Sequence, residues 1–452
     1  MANDLGGLGG TAQGPSPRRF VIAATIGNAL EFYDFITYAF FAIQIGHAFF
    51  PFHSAYGSLM MSLATFGAGF ITRPIGGLVI GAYADRVGRR PAMMLSFTLM
   101  GAAIVALALI PSYKTIGVAA PVLAVLARMV QGFSLGGEVG PTTAYLLESA
   151  PVGGRGLAVS WQGASQSIAA TLGGLVGVGL SMVMPPAALD AYGWRIAFLV
   201  GAATLPFGLW IRHGLHETLH APDPTAAPPS QSAGFALLRE NRRIIVLALL
   251  ALGSGTIATY VFNYLTTFAE GTLHLPAGVS FLSGALGNLV AVFSVLYGGW
   301  LSDRIGRRPV MIWPNRIFLV LILPLFFWIV QSRSVVALIV GTTTLSLFAS
   351  MGWGAFYTAV TETLPKRIRG AAFATIYATS IALCGGTTQL VITWLIRATG
   401  SAMAPAWYLF GATVVGQIAL MLILESAPAK AASALGTSPI IPLRPAEDLG
   451  PG

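Results

Sequence analysis

GAYADRVGRR, residues 81–90, returns in the second part of the chain as GWLSDRIGRR, residues 299–308. Both stretches fit the pattern G-x-x-x-D-R-x-G-R-R, and each lies between long apolar segments. A glutamate seven residues before an Arg-Gly pair follows each copy, namely Glu148 before Arg155 and Glu362 before Arg369. Motifs repeated at corresponding positions indicate two related membrane halves in one chain.

The composition is that of a membrane protein. Hydrophobic residues make up 55% of the chain and charged residues 9%, whereas a soluble domain carries about 25% charged residues. The single cysteine, Cys384, excludes an intramolecular disulfide. The sequence contains no recognisable nucleophile motif, metal-binding cluster, cofactor motif or nucleotide-binding domain. We therefore expect neither an enzyme nor a protein with a metal or cofactor.

Twelve apolar spans follow one another along the chain, each near or above the roughly 20 residues that cross a bilayer. We place these spans near residues 20–43, 56–83, 91–111, 118–147, 157–184, 194–212, 242–268, 279–302, 310–330, 334–361, 371–397 and 405–425.

The repeat and the spans together predict an all-α membrane protein of two pseudo-symmetric six-helix bundles. We expect the bundles at residues 20–212 and 242–425, the first of them beginning with a retained helix and not a cleavable signal peptide. Residues 213–241 contain APDPTAAPP and are expected to form a cytoplasmic linker. Residues 1–19 and 426–452 are rich in Gly, Pro and Ala, which predicts disordered cytoplasmic tails.

The basic residues predict the orientation. With both termini in the cytoplasm, most of the 25 Lys and Arg residues fall on the cytoplasmic side, as the positive-inside rule requires. The net charge of +9 then reflects topology and contact with lipid headgroups, which excludes nucleic acid as a partner. We expect a multi-pass protein of a cell membrane, namely a bacterial inner membrane, without an obligate protein partner.

Several motifs resemble those of the major facilitator superfamily, and the duplicated loop resembles its signature loop. Within that superfamily the chain is similar to the metabolite:proton symporters, nearest the citrate and tricarballylate group. The motifs that carry this resemblance are GNALEFYDF (27–35), ITRPIGG (71–77), RMVQGFSLGGE (128–138), SWQGASQ (160–166) and GWRIAFLVG (193–201). Arg316 departs from the citrate carriers, and the fifth span lacks the G-P-x-x-G-G motif of drug:proton antiporters.

The resemblance implies proton-coupled symport of a small organic acid by alternating access, with a di- or tricarboxylate such as citrate or tricarballylate as substrate. Several alternatives stay open from the sequence. They are symport of 2-oxoglutarate, of a shikimate-like acid or of betaine and proline, and facilitated transport without a proton. A membrane enzyme or receptor is the competing class, and the duplicated loop has no use in an enzyme.

The first span carries the candidate proton-coupling residues. Asn28, Glu31 and Asp34 are spaced by three, which places them on one side of a helix. A carboxylate near the bilayer centre must be protonated, paired or hydrated, because leaving it ionised costs about 2.5–3.5 kcal/mol. We predict that Asp34 or Glu31 carries the proton, and the resemblance favours Asp34. Glu138 in the fourth span is a further candidate, and a static ion pair is the alternative role.

Two arginines within the spans are the candidate substrate ligands. Arg128 and Arg73 can each hold a carboxylate through two parallel hydrogen bonds, although each could instead only neutralise an acidic neighbour. Polar residues on nearby helices complete the predicted site. They are Asn28, Gln131, Gln162, Gln166 and Tyr357, with Ser165, Tyr260, Asn263 and Trp353 as weaker candidates.

The duplicated loop predicts a cytoplasmic gate. Gly81 and Gly299 would allow close helix approach, and Asp85 and Asp303 would accept hydrogen bonds from a helix N-terminus in the opposite half. Glutamates at the ends of spans 4 and 10 would pair with the loop arginines. The gate residues are Gly81, Asp85, Arg86, Arg89, Arg90 and Glu148 in the first half, and Gly299, Asp303, Arg304, Arg307, Arg308 and Glu362 in the second. Simple anchoring of the topology by arginine is the alternative.

Overall fold

The computed structural model describes nine parts of the chain: residues 28–29, 32–87, 89–136, 143, 146–148, 150–203, 205–206, 241–364 and 369–426. Within them, the side chains of residues 82, 84–86, 89, 90, 93, 152, 370 and 371 are not described. Several predictions therefore fall outside the described residues. They concern Glu31, Glu138, the linker, both tails and the side chains of Asp85, Arg86, Arg89 and Arg90.

Helices account for nearly all of the described chain, and no strand occurs in it. The first half contains α1 (32–40 continued by Ala42–Phe49), α2 (Ala55–Ile71 and Arg73–Val87), α3 (Arg89–Leu109), α4 (Ala119–Leu135), α5 (Arg155–Val183) and α6 (Trp194–Ala203). The second half contains α7 (Arg242–Gly271), α8 (Ala277–Ile305), α9 (Arg307–Ser332), α10 (Val335–Met351 and Trp353–Thr363), α11 (Arg369–Ser380, Ile381–Gly385 and Gly386–Thr399) and α12 (Ala404–Leu422).

The described helices match a membrane environment. Eight of them are long and apolar enough to cross a bilayer, and Met94–Leu109 and Ala119–Leu135 are shorter apolar helices. Large apolar side chains point outward, as at Leu78, which is 76% exposed, and Val320, which is 72% exposed. Exposed apolar side chains of this kind suit contact with lipid. The predicted all-α membrane fold is thus confirmed.

A break in α2 positions one of the predicted site residues. The helix is interrupted at Thr72, and its second part starts at Arg73. Pro74 then occupies the first turn, where the backbone N–H that it lacks would have no partner within the helix. The Thr72 hydroxyl donates to the Met129 carbonyl of α4 at 2.7 Å. This bond fixes the break against the helix that carries Arg128.

The halves meet along two pairs of helices, α5 with α8 and α2 with α11. A six-helix shift exchanges these two pairs, as the sequence repeat predicts. Small residues allow the approach: a Cβ on Gly67 would strike the Gly386 carbonyl, and a Cβ on Gly174 would strike Ala285. Side chains on α1, α4, α5, α7 and α11 can therefore lie close together between the halves.

Candidate substrate and proton site

A buried ion pair lies inside the first half. Asp34 of α1 and Arg128 of α4 are 1% and 0% exposed, and Arg128 Nη1 lies 3.7 Å from Asp34 Oδ2. The same Nη1 donates to Gln131 Oε1 at 2.6 Å. Gln131 is one helical turn after Arg128, so the R-x-x-Q spacing puts both side chains on one face. The charges of Asp34 and Arg128 thus face each other across α1 and α4.

Arg73 is a second buried arginine whose guanidinium group lies against aromatic rings. It is 4% exposed, and its guanidinium carbon lies 4.4 Å from the centre of the Phe35 ring and 4.5 Å from that of Phe70. The Arg128 guanidinium carbon also lies 4.4 Å from the Phe35 ring centre. Phe35 therefore contacts both cations, and its ring offsets part of their loss of hydration.

The buried polar residues described so far form one cluster, made of Asp34, Arg73, Arg128 and Gln131. Many polar atoms in this cluster have no hydrogen-bond partner within the described chain. They are both carboxylate oxygens of Asp34, Nε and Nη2 of Arg73, Nε and Nη2 of Arg128, and Nε2 of Gln131. A buried charged group left without a partner costs more than about 1–3 kcal/mol, the penalty for a neutral one. A cluster of such atoms is therefore suited to binding a polar ligand or changing its protonation.

Helix α5 supplies a polar wall through its predicted Gln162, Ser165 and Gln166 set. Asn28 Nδ2 donates to Ser165 Oγ at 2.6 Å, and Gln162 Nε2 donates to Asn28 Oδ1 at 3.1 Å. Asn28 and Gln162 thus satisfy each other in this arrangement. Gln166 reaches the other half instead, where its Nε2 donates to the Tyr377 hydroxyl at 3.2 Å.

The second half presents tyrosines to the cluster. Tyr260, Tyr357 and Tyr377 are each about 6% exposed. Tyr377 also lines a small cavity between the halves together with Arg73, Phe32 and Leu135. The sequence did not single out Tyr377. Its helix α11 is the counterpart of α5 in the repeat, and that correspondence was the only available signal.

The second motif joins the halves at one end of the bundle, called the motif end below. The carboxylate of Asp303 accepts hydrogen bonds from the backbone N–H groups of Gly156 at 2.8 Å and Leu157 at 2.9 Å, at the N-terminus of α5. Arg307 Nη1 lies 2.6 Å from Asp303 Oδ1. The contact predicted for Asp303 with a helix N-terminus of the opposite half is present, and Arg307 pairs with the same carboxylate.

Ion pairs surround Asp303 at the motif end. Arg307 pairs with Glu362 at 3.3 Å, as predicted. Two pairs connect the halves directly, Arg155 with Glu362 at 3.8 Å and Arg369 with Glu148 at 3.4 Å. The predicted partners of Glu148, Arg89 and Arg90, lie outside the described side chains.

Two predictions about the motif end need correction. Arg308 does not pair with Glu362: its Nη2 donates to the Met421 carbonyl at 2.8 Å, because its backbone is held by the carboxylate of Glu425. Close approach is found at Gly299, where a Cβ would strike Ser160, but no described atom lies within 4 Å of a Cβ on Gly81.

The halves also touch at the opposite end of the bundle. Gln44 Nε2 of α1 donates to Glu270 Oε1 of α7 at 3.0 Å. The Thr267 hydroxyl of α7 donates to the Ala39 carbonyl of α1 at 3.4 Å. The sequence did not point to Glu270, which lies far from every repeated motif. The cluster around Arg128 is therefore enclosed between contacts at both ends.

Comparison with known proteins agrees with this arrangement. Residues 24–385 match the family model described as Major Facilitator Superfamily. The chain is 37% identical over 402 residues to a citrate-proton symporter of Klebsiella pneumoniae, covering 88% of this chain and 90% of that protein. It is 30% identical over 423 residues to a proline/betaine transporter of Escherichia coli (strain K12), covering 91% and 84%. A crystal structure of a D-xylose-proton symporter superposes with a TM-score of 0.73 at 17% identity, covering 92% of this chain and 99% of that one.

Proposed function

Because the chain belongs to the major facilitator superfamily, whose members are transporters and not enzymes, we propose that it imports a small organic acid together with protons. The observation that carries this proposal is the cluster of Asp34, Arg73 and Arg128, buried in the first half beside a cavity that Arg73 shares with the second half. Intramembrane charges are expensive and mark substrate and proton pathways. The two halves would rock about this cluster and expose it to each side in turn.

The charges of the cluster favour an anion as substrate. The guanidinium groups of Arg73 and Arg128 lie close enough to repel each other, and the described carboxylate paired with Arg128 is that of Asp34. Each guanidinium keeps two nitrogens without a partner in the described chain, and a carboxylate can accept from both at once. A molecule with several carboxylates would use both arginines. We therefore propose a di- or tricarboxylate such as citrate or tricarballylate, and the similarity to a citrate-proton symporter supports this choice.

The same geometry suggests how a proton would be coupled. While Asp34 is ionised, it holds the guanidinium of Arg128. Protonation removes this attraction and leaves Arg128 free to bind a substrate carboxylate. Proton and substrate would then bind together, which is the requirement for symport. Glu31 and Glu138 remain further candidates for a coupling proton.

The motif end would form the cytoplasmic gate. Opening it requires breaking the bonds of Asp303 to Gly156 and Leu157 and the pair between Arg369 and Glu148. We propose that both termini are cytoplasmic and that the protein lies in a bacterial inner membrane, because the basic residues then follow the positive-inside rule. No protein partner is needed for this cycle.

The substrate is tested by thermal stability of the purified protein with citrate, tricarballylate, 2-oxoglutarate, shikimate, proline or betaine. At a hundredfold excess over Kd, a ligand adds about 2.7 kcal/mol to the free energy of unfolding. We expect stabilisation by a tricarboxylate, its loss in Arg128→Ala, and its retention in Arg316→Ala. Arg316 is the matched control because it lies in a span but contacts Trp313 and Met421 at the exposed surface.

Stabilisation by betaine or proline alone would replace the anion with a zwitterion as the substrate. Tyr260, Tyr357 and Tyr377 would then offer aromatic faces to an ammonium group.

Uptake into proteoliposomes tests the coupling. Accumulation that depends on an inward proton gradient supports symport, and equal uptake with and without the gradient identifies an uncoupled facilitator.

A further inference from the structure

A carboxyl group far from the central cluster joins the two halves. Glu270 is the penultimate residue of α7, and Gln44 lies ten residues after Asp34 in α1, which corresponds to about 15 Å along the helix. Gln44 Nε2 donates to Glu270 Oε1 at 3.0 Å and to Oε2 at 3.3 Å. The halves cannot separate at this end, opposite the motif end, without breaking these bonds.

The hydrogen bonding of this pair is incomplete if Glu270 is ionised. Gln44 is 2% exposed, and its Oε1 has no donor among the described residues. An ionised carboxylate only accepts hydrogen bonds, so it cannot satisfy this oxygen. Turning the amide over would place Oε1 against the carboxylate oxygens, three acceptors without a proton between them. A protonated carboxyl has one O–H donor, and with the amide it can form a closed pair of two hydrogen bonds.

Among the described residues, no cation is paired with Glu270 alone. The described ionisable groups whose charge reaches it are Asp190, before α6, and His47 of α1. These two bind each other, with His47 Nδ1 at 2.8 Å from Asp190 Oδ1, and both are nearly half exposed. Each of the described gate carboxylates at the motif end, in contrast, lies within 4 Å of an arginine.

We propose that Glu270 is a second proton-binding site, whose protonation closes the end of the bundle opposite the motif end. This inference rests on the proposed proton-coupled transport and adds a step to it. A proton from the outer aqueous phase binds Glu270 beside the exposed His47–Asp190 pair, and the neutral carboxyl then pairs fully with Gln44. Closure and opening of this end are thereby linked to pH independently of Asp34.

Distance measurement between spin labels tests the proposal without substrate. Labels are attached at His53→Cys, in the loop between α1 and α2, and at His274→Cys, after α7, in a Cys384→Ser background. Both positions are exposed, and Cys384 is the single native cysteine. Linkage of one proton predicts that the ratio of short to long distances rises by up to about tenfold for each unit by which pH falls.

Three variants separate this response from unrelated effects. Glu270→Gln mimics the neutral carboxyl and is expected to give the short distance at every pH. Gln44→Met keeps the size of the side chain but removes its hydrogen bonds, and is expected to lose the pH response. Asp190→Asn, the matched control, removes an exposed carboxylate near Glu270 and should keep the pH response.

The inference is overturned if wild-type distances do not change with pH, or if Glu270→Gln titrates like the wild type. Proteoliposome uptake of citrate, measured separately, tests the proposed function. A pH-dependent distance without proton-driven uptake supports the site at Glu270 and rejects symport. Proton-driven uptake with a pH-independent distance rejects the site and leaves symport standing.

Discussion

Phe35 contacts two buried cations, and its ring offsets part of the cost of burying Arg73 and Arg128. The guanidinium carbons of both arginines lie 4.4 Å from its ring centre, so the ring attracts each of them. Asp34 precedes Phe35 in α1, and its carboxylate carries the negative charge that pairs with Arg128. Substrate and proton chemistry at this site therefore depend on a few adjacent positions of one helix.

Asp34→Asn should abolish accumulation driven by a proton gradient while sparing exchange of substrate across the membrane. The asparagine amide keeps the size of the side chain, but it cannot take up and release a proton at physiological pH. Radiolabelled counterflow and gradient-driven uptake in the same liposomes measure the two activities. Asp190→Asn serves as the control, since its exposed carboxylate lies outside the cluster. Gradient-driven accumulation that persisted in Asp34→Asn would shift the coupling role to Glu31 or Glu138.

Tyr377→Phe should weaken substrate binding between about twofold and tenfold, because a single hydrogen bond contributes about 0.5–1.5 kcal/mol. The variant removes the hydroxyl that accepts from Gln166 and keeps the ring against Phe373. Titration calorimetry with citrate measures the change. Tyr408→Phe is a suitable comparison on α12 and should bind normally. If both variants bind as the wild type does, Tyr377 contributes packing only.

The residues of the site were predictable to different degrees. Arg73, Arg128 and Asp34 stood out because a charge within an apolar span has few inexpensive roles. The partners of these charges were not predictable in the same way. Phe35, Phe70 and Tyr377 resemble ordinary apolar or aromatic residues of a span, and only the folded chain brings them beside a guanidinium. Glu270 and Gln44 meet across the halves, which local sequence cannot reveal.

At the scale of helices, close packing depends on small residues at particular crossings. Gly299 of α8 lies where α5 crosses, so a Cβ there would strike both the Ser160 hydroxyl and the Gly156 carbonyl. Its counterpart Gly81 lies where no described atom is near. The repeat predicted both glycines equally, because equal sequence implies equal position. Within the part of the chain that the structure describes, the two copies differ in what packs against them, which the repeat itself does not encode.

Gly299→Ala should impair transport by at least about tenfold, whereas Gly81→Ala should remain near the wild-type rate. The backbone of α5 cannot move away from Gly299 without disturbing the bonds of Asp303 to the start of that helix. Uptake rate per folded protein, normalised by size-exclusion yield, measures the effect. Equal loss in both variants would mean that both copies pack closely, and no loss in either would show that α5 can adapt.

At the scale of the molecule, two bundles of helices share one interface, which the proposed transport cycle opens from either end. Asp303 of the second half binds the first turn of α5 in the first half, and Arg369 of the second half binds Glu148 of the first. The helix spans and the two-half architecture followed from hydropathy and the repeat. The state of the interface did not, because the proposed transport cycle requires the same sequence to form opened arrangements as well.

Asp303→Asn should lower turnover while leaving substrate affinity mostly unchanged, and Asp85→Asn should act in the same direction. Loss of a hydrogen bond to a charged group costs about 1.5–3 kcal/mol, enough to shift the population toward opening at the motif end by roughly 10- to 150-fold. Labels on each side of that end, read together with citrate binding, measure both effects. Abolished binding with an unchanged population would contradict a gating role.

The burial of Arg128 and Asp34 from both ends has a consequence for the energy balance of a cell. A membrane that stores energy as a difference in proton concentration cannot tolerate a permanently open path for ions. Contacts at both ends, at Gln44–Glu270 and at Asp303–Gly156, hold the halves together on either side of this buried pair. Under the proposed proton-coupled cycle, a protein held in this arrangement can remain idle in large numbers without discharging the gradient.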